Sequence, residues 1–291
     1  VNAWKYLTAE NDEDEDREGD GYWFYFQSTG KKVVDQDSKR INGRKYRFDE
    51  YGAAQFEWYA DPGLASDSDA SSLYYNSEDS CWLATGWFKT YPDEDIDPEG
   101  YEEDEQYWYY ADSDGELYTA VIKTINGQKY GFDPYGKMLH GLYKITFDEE
   151  DGKTILEAEE IETEDDLPDA DEDVYVYYFG DSPKEGAMET GTCTLEIDGE
   201  DYYYKFISSG SKKGAGVNEI DDDCIYIQGR RIEAEEGSKY EPFEYDGKEY
   251  LISTSGKIMK NKTNIKDADD TYYCTDEDGV ITYSGDEKYT D

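Results

Sequence analysis

Ile41-Asn42-Gly43-Arg44-Lys45-Tyr46-Arg47-Phe48-Asp49-Glu50-Tyr51-Gly52 returns as Ile125-Asn126-Gly127-Gln128-Lys129-Tyr130-Gly131-Phe132-Asp133-Pro134-Tyr135-Gly136, with nine of twelve positions identical. Looser copies begin at Ile197-Asp198-Gly199 and Tyr245-Asp246-Gly247, the latter reaching Ser255-Gly256 with the same spacing. Asn-Gly and Asp-Gly supply the positive φ that a two-residue hairpin loop demands, and alternating aromatic and polar residues on both sides make strands. A single hairpin is marginal in water, so repeated hairpins must stack their apolar faces on one another.

Outward from this long unit lies a shorter one. Tyr22-Trp23-Phe24-Tyr25-Phe26-Gln27-Ser28-Thr29-Gly30 is echoed by Tyr107-Trp108-Tyr109-Tyr110-Ala111-Asp112-Ser113-Asp114-Gly115, and weaker copies surround Tyr74-Tyr75, Tyr177-Tyr178 and Tyr272-Tyr273. Acidic runs separate the copies at Glu10 to Asp20, Asp61 to Ser72, Asp93 to Glu105 and Asp148 to Asp173. Each follows an aromatic residue, Trp4, Trp58, Trp87 or Tyr143, and precedes the next short unit, which places the runs in extended hairpin loops. The expectation is an all-β fold: one repeat module over residues 1–291, an elongated solenoid of about nine or ten stacked β-hairpins with acidic loop insertions.

Composition narrows the function. With 73 acidic and 28 basic residues the formal charge is -45, which repels nucleic acid and anionic lipid and concentrates cationic ligands. The 31 Tyr, 10 Phe and 6 Trp give an aromatic share of 16%, against the pattern of acidic disordered chains, and can build a core from rings. No stretch approaches the ~18 apolar residues of a membrane span, so no membrane insertion is expected. The chain opens at Val1 without a charged-then-apolar leader and reads as a piece of a longer secreted protein.

Gly86-Trp87, then Tyr107-Trp108-Tyr109-Tyr110, then Asp114-Gly115-Glu116-Leu117-Tyr118-Thr119 resembles the cell-wall-binding repeat of choline-binding proteins: Gly-Trp, a spacer, Trp-Tyr-Tyr, a Gly turn, then Met-x-Thr-Gly. Gly186-Ala187-Met188-Glu189-Thr190-Gly191 is a similar ending, and Tyr-x-Phe-Asp-x-x-Gly at Tyr46 to Gly52 and Tyr130 to Gly136 looks like the glucan-binding repeats of the same superfamily. Here the spacer is lengthened by an acidic insertion, and Gly86-Trp87 is the only Gly-Trp pair. The resemblance implies hairpins stacked as a left-handed β-solenoid, on an extracellular protein that is secreted or held on the bacterial cell surface. It further implies aromatic cages between repeats that hold a quaternary ammonium by cation–π attraction. The cage candidates are Trp87, Trp108 and Tyr109, with Trp4 and Trp23, and Trp58 and Tyr74, as equivalent places, and Met138 and Met188 as the apolar residues after a turn. Flat rings also suit the apolar face of a sugar. The expected partner is therefore a cell-wall polymer bearing a choline-like cation, or a glucan. The rival reading is a structural or adhesive acidic rod that presents its loops to a protein partner.

No catalytic residue, cofactor or metal is assigned. Cys81, Cys193, Cys224 and Cys274 lie far apart without a Cys-x-x-Cys pair and have only His140 as a nitrogen partner, which points to packing or free thiols. Asp112-Ser113-Asp114-Gly115 and Asp276-Glu277-Asp278-Gly279 open like calcium loops but lack the rest of the pattern, and each stands where the repeat needs a tight turn. Gly210 to Gly216 lacks the Gly-Lys-Ser/Thr ending of a phosphate loop and reads as a flexible turn, and His140 reads as a surface residue.

Overall fold

The computed structural model describes residues 2–8, 21–59, 72–168 and 173–290. These residues form twenty-four strands, one five-residue helix at Pro98–Glu102 and a 3-10 turn at Glu164–Asp166. The strands belong to nine small antiparallel sheets. None of the described helices is long and apolar enough to cross a membrane. The chain divides into two compact units, residues 1–123 with 132–138 and residues 124–131 with 139–291.

The long unit forms as its loop residues require. Gln36–Ile41 pairs with Arg44–Phe48 so that Ile41 faces Arg44 across Asn42-Gly43, whose φ values of 50° and 88° define a type I′ turn. Asn126-Gly127 repeats the geometry at 50° and 86°, Asp198-Gly199 at 55° and 85°, and Asp246-Gly247 at 50° and 69°. Alternation buries Ile41, Tyr46 and Phe48 on one face and leaves the intervening residues to the other. In the third copy the buried pair is Tyr204 and Phe206, two residues further from the loop than Tyr46 and Phe48. Because the side-chain period is two, an extension of two residues keeps the same face inward.

The Asp and Gly that follow the first two copies of the hairpin close a second turn. Asp133 Oδ1 accepts the amides of Tyr135 and Lys137 at 2.9 and 2.8 Å, and Asp49 Oδ1 accepts that of Ala53 at 2.8 Å. The calcium-like segments use the same device: Asp112 Oδ1 accepts from Asp114 and Glu116, and Asp276 Oδ1 from Asp278 and Val280. Their carboxylates are thus committed to backbone amides.

Within each unit the chain after such a turn joins another hairpin. Ala54 N donates to Trp23 O and Met138 N to Trp108 O, each at 2.8 Å; in the second unit Gly216 N donates to Val176 O at 2.8 Å. The aromatic strands therefore have their outer carbonyls satisfied by the following repeat, which also covers an exposed sheet edge. Gly210 to Gly216, expected as a flexible turn, differs at its end: Ala215 is 1% exposed and Gly216 lies against the backbone of Gln228 and Gly229. Its glycines serve close packing as well as turning.

The insertions follow their expected place in part. Gly86–Thr90 pairs with Tyr107–Ala111 around the acidic run of residues 93–105, which contains the short helix capped by Asp97. Ala3–Thr8 pairs with Gly21–Phe26, and Trp58–Tyr59 with Leu73–Tyr74; the acidic stretches at residues 9–20 and 60–71 lie outside the described residues. The run from Asp148 differs from a plain loop. Its Ile155–Glu160 is a strand that adds to Gly141–Phe147, anchored by fully buried Ile155.

Candidate functional site

The first unit packs Val33, Ile41, Tyr46, Phe48, Ala54 and Cys81 into one core, with Trp4, Trp23 and Trp82 half-buried at its edge. Register explains the placement. Trp4 faces Tyr25 and Tyr6 faces Trp23 across one strand pair, which puts all four rings on one face. Trp4 lies 4.8 Å from Tyr46 and 5.2 Å from Tyr25, while Tyr6 meets Trp23 edge-on at 5.3 Å.

Trp4, Trp23, Tyr46, Asp79, Cys81 and Trp82 line an open hollow of about 250 Å³. This lies below the roughly 300–1,000 Å³ of pockets for drug-sized ligands, so it suits a small group. Three indoles and a phenol line it, and Asp79 adds an exposed carboxylate. The Cys81 thiol is pushed up to about 12 by burial, reinforced by Glu78 and Asp79, and donates to Glu78 O at 2.8 Å. It is neutral and not a nucleophile at physiological pH. Burial also raises the Tyr46 hydroxyl, with Arg44 partly opposing it. Among the described residues the buried Trp23 indole Nε1 has no acceptor. The arrangement can hold a soft cation; among the described residues no cluster of His, Cys, Asp and Glu is suited to a metal.

The other expected rings are arranged differently. Trp87 and Trp108 are brought together, but edge to face at 6.3 Å, and Trp87 also meets Tyr110 at 5.1 Å and Phe132 at 5.9 Å. Trp58 and Tyr74 meet at 5.0 Å, Tyr74 stacks on Phe88 at 4.9 Å, and Trp58 Nε1 donates to Tyr91 O. Tyr109 is 2% exposed, enclosed by Trp58 and Phe88, so its ring supports those neighbours from within. Met138 and Met188 are buried, Met188 closing over Gly214.

Trp82 and Asp79 escaped the sequence reading. Cys81-Trp82-Leu83 belongs to no long or short unit, yet it precedes Ala84-Thr85-Gly86, the Thr-Gly ending also seen at Thr190-Gly191. That ending was the available signal. His140, as expected, is at the surface, with Nε2 3.1 Å from Asp181 Oδ1. The four cysteines are free thiols.

No protein-family model matches the chain, and no curated protein matches its sequence. Solved structures do. Choline-binding protein F in complex with ipratropium is similar with a TM-score of 0.54 at 19% identity, over 97% of this chain and 86% of that one. Choline-binding protein F from Streptococcus pneumoniae in the presence of a peptidoglycan analogue gives 0.52 at 20% identity, over the same 97% and 86%. The fold of this chain is that of choline-binding protein F.

Proposed function

We propose that this chain is a non-catalytic, extracellular binding module that holds a secreted protein on a bacterial cell-wall polymer by capturing a choline-like quaternary ammonium. The observation that carries the reading is the cavity of about 250 Å³ walled by Trp4, Trp23 and Trp82 with Asp79 at its side. The overall charge of -45 raises the local concentration of such a cation. Choline-binding proteins of the same fold support the ligand class. In this reading the hairpins continue as a solenoid whose Trp58/Tyr74 and Trp87/Trp108 junctions serve as packing. A glucan is second: indole faces suit a sugar ring, but the adjoining carboxylate favours a cation.

The test is intrinsic tryptophan fluorescence during titration with choline and, in parallel, with soluble glucan fragments. A saturable change with choline alone is expected. A change with glucan alone reassigns the ligand, and a flat response to both from folded protein refutes the module.

A further inference from the structure

Beyond the outer face of Trp82 lies a second space of about 310 Å³, bordered by Arg40, Arg44, Lys45, Trp82, Trp87 and Ser113 among others. Its chemistry is opposite to that of the cage. Its described lining includes three cations and no carboxylate, in a chain with 73 acidic and 28 basic residues, and the carboxylate on its rim is Asp114. The Arg44 guanidinium carbon lies over Trp82, 3.5 Å from the ring centroid, and Arg40 donates to Gly43 O at 3.2 Å. Among the described residues neither arginine is ion-paired with a carboxylate. Lys45 Nζ binds Asp114 Oδ1 at 2.8 Å, and the Asp114 side chain is 75% exposed. An oxyanion from this chain's own turn therefore already rests on the rim of the groove.

We propose that this groove is a subsite for an anionic saccharide, with the oxyanion on Arg40, Arg44 and Lys45 and the sugar against Trp87, beside the Arg44-covered Trp82. Guanidinium groups match the geometry of phosphate and carboxylate oxygens, and indole faces match the apolar face of a pyranose. Ser113 and Thr85 add hydroxyls for the sugar's own. A surface of such net negative charge repels free anions, so saturable uptake of one reports a built contact. The inference deepens the cage reading, since Trp82 borders both spaces and one polymer can place a cation on one side and an anion on the other. It rests on that reading for the pairing alone.

Isothermal titration with glucose 1-phosphate, glucuronate, glucose and choline tests it on the full chain, beside the Arg40→Gln/Lys45→Gln double variant and Asp114→Asn. A phosphorylated or carboxylated sugar is expected to bind where glucose does not, and whichever binds names the oxyanion. The double variant is expected to lose at least about tenfold in that affinity with its choline titration unchanged, and Asp114→Asn, which frees Lys45, to gain. No binding of either anion, or undiminished affinity in the folded double variant, overturns the subsite. If choline fails to bind while the sugar anion binds and is lost in the double variant, the cage falls and the subsite stands.

Discussion

Removing one wall of the cage is the sharpest perturbation. Trp82→Ala deletes an indole that borders the cavity with Trp4 and Trp23 while leaving both strands of the neighbouring hairpin in place. A cation against an aromatic face gains ~0.5 to 2 kcal/mol depending on desolvation, so loss of one ring weakens choline binding by roughly two- to thirtyfold. Complete burial of a Trp makes its truncation cost about 3–5 kcal/mol of stability; half-buried Trp82 should cost less than that. Trp82→Phe, which keeps a ring face, should recover most of the affinity. Trp108→Ala is the control, because Trp108 packs edge-on against Trp87 and does not border the cavity. Calorimetric titration with choline on folded variants reads the difference. A Trp82→Ala protein within twofold of the parent, with choline binding lost in Trp108→Ala, would place the cage at the wrong junction.

Three further outcomes follow from the packing and the buried charges. Burial raises the Asp133 carboxyl from 3.8 to about 6, with Lys137 opposing. The folded state then holds a proton that the unfolded state has released, so stability falls as pH rises from about 4 to about 6, by about 3 kcal/mol in all. Asp133→Asn keeps the amide acceptor and should remove that fall, read as the difference in urea midpoint between pH 4 and pH 7 for variant and parent. Gly216→Ala brings a Cβ within 2.2 Å of Gln228 O and should destabilise by at least the 1–3 kcal/mol of overpacking. Gly127→Ala meets open space and costs only the roughly 1–2 kcal/mol of its φ of +86°, so the order of melting temperatures tests both. Cys81, 2% exposed and pushed up to about 12 by burial, should react with a thiol reagent at pH 8 only after denaturation; rapid labelling of native Cys81 contradicts its placement.

Local chemistry was the legible part of this chain. Asn42-Gly43 and Asn126-Gly127 name their turn type outright, and the spacing of Tyr46 and Phe48 names the buried face. The looser third copy was legible in kind but not in register, since a shift of two residues to Tyr204 and Phe206 leaves the alternation intact. Ile155–Glu160 was hidden because its few apolar residues sit in an acidic run, although its partner Gly141–Phe147 is the strand just before it. The cage was harder still. Trp4, Trp23 and Trp82 come from three separate segments, and which Trp pair opens a cavity and which closes on itself is decided by how the repeats stack.

The scarce cations sharpen the distinction between structural and available rings. Arg44 covers Trp82, Arg47 covers Tyr59, Arg231 covers Tyr203 and Lys137 covers Tyr107, each within 5 Å of the ring centroid. Each pair occupies one face of its ring from within the chain, at ~0.5 to 1 kcal/mol where exposed, and leaves the other face of Trp82 unclaimed by a described cation. Among the described residues no lysine or arginine is seated on Trp4 or Trp23, although their faces border a cavity beside Asp79. Among the described basic residues, none competes with an external cation for those two indoles. Introducing that competitor is therefore a direct test: Ser80→Lys or Ser80→Arg, at the same cavity, should seat an internal cation on the rings and abolish choline binding without unfolding the hairpins. Choline affinity unchanged in both variants means that the ligand enters elsewhere.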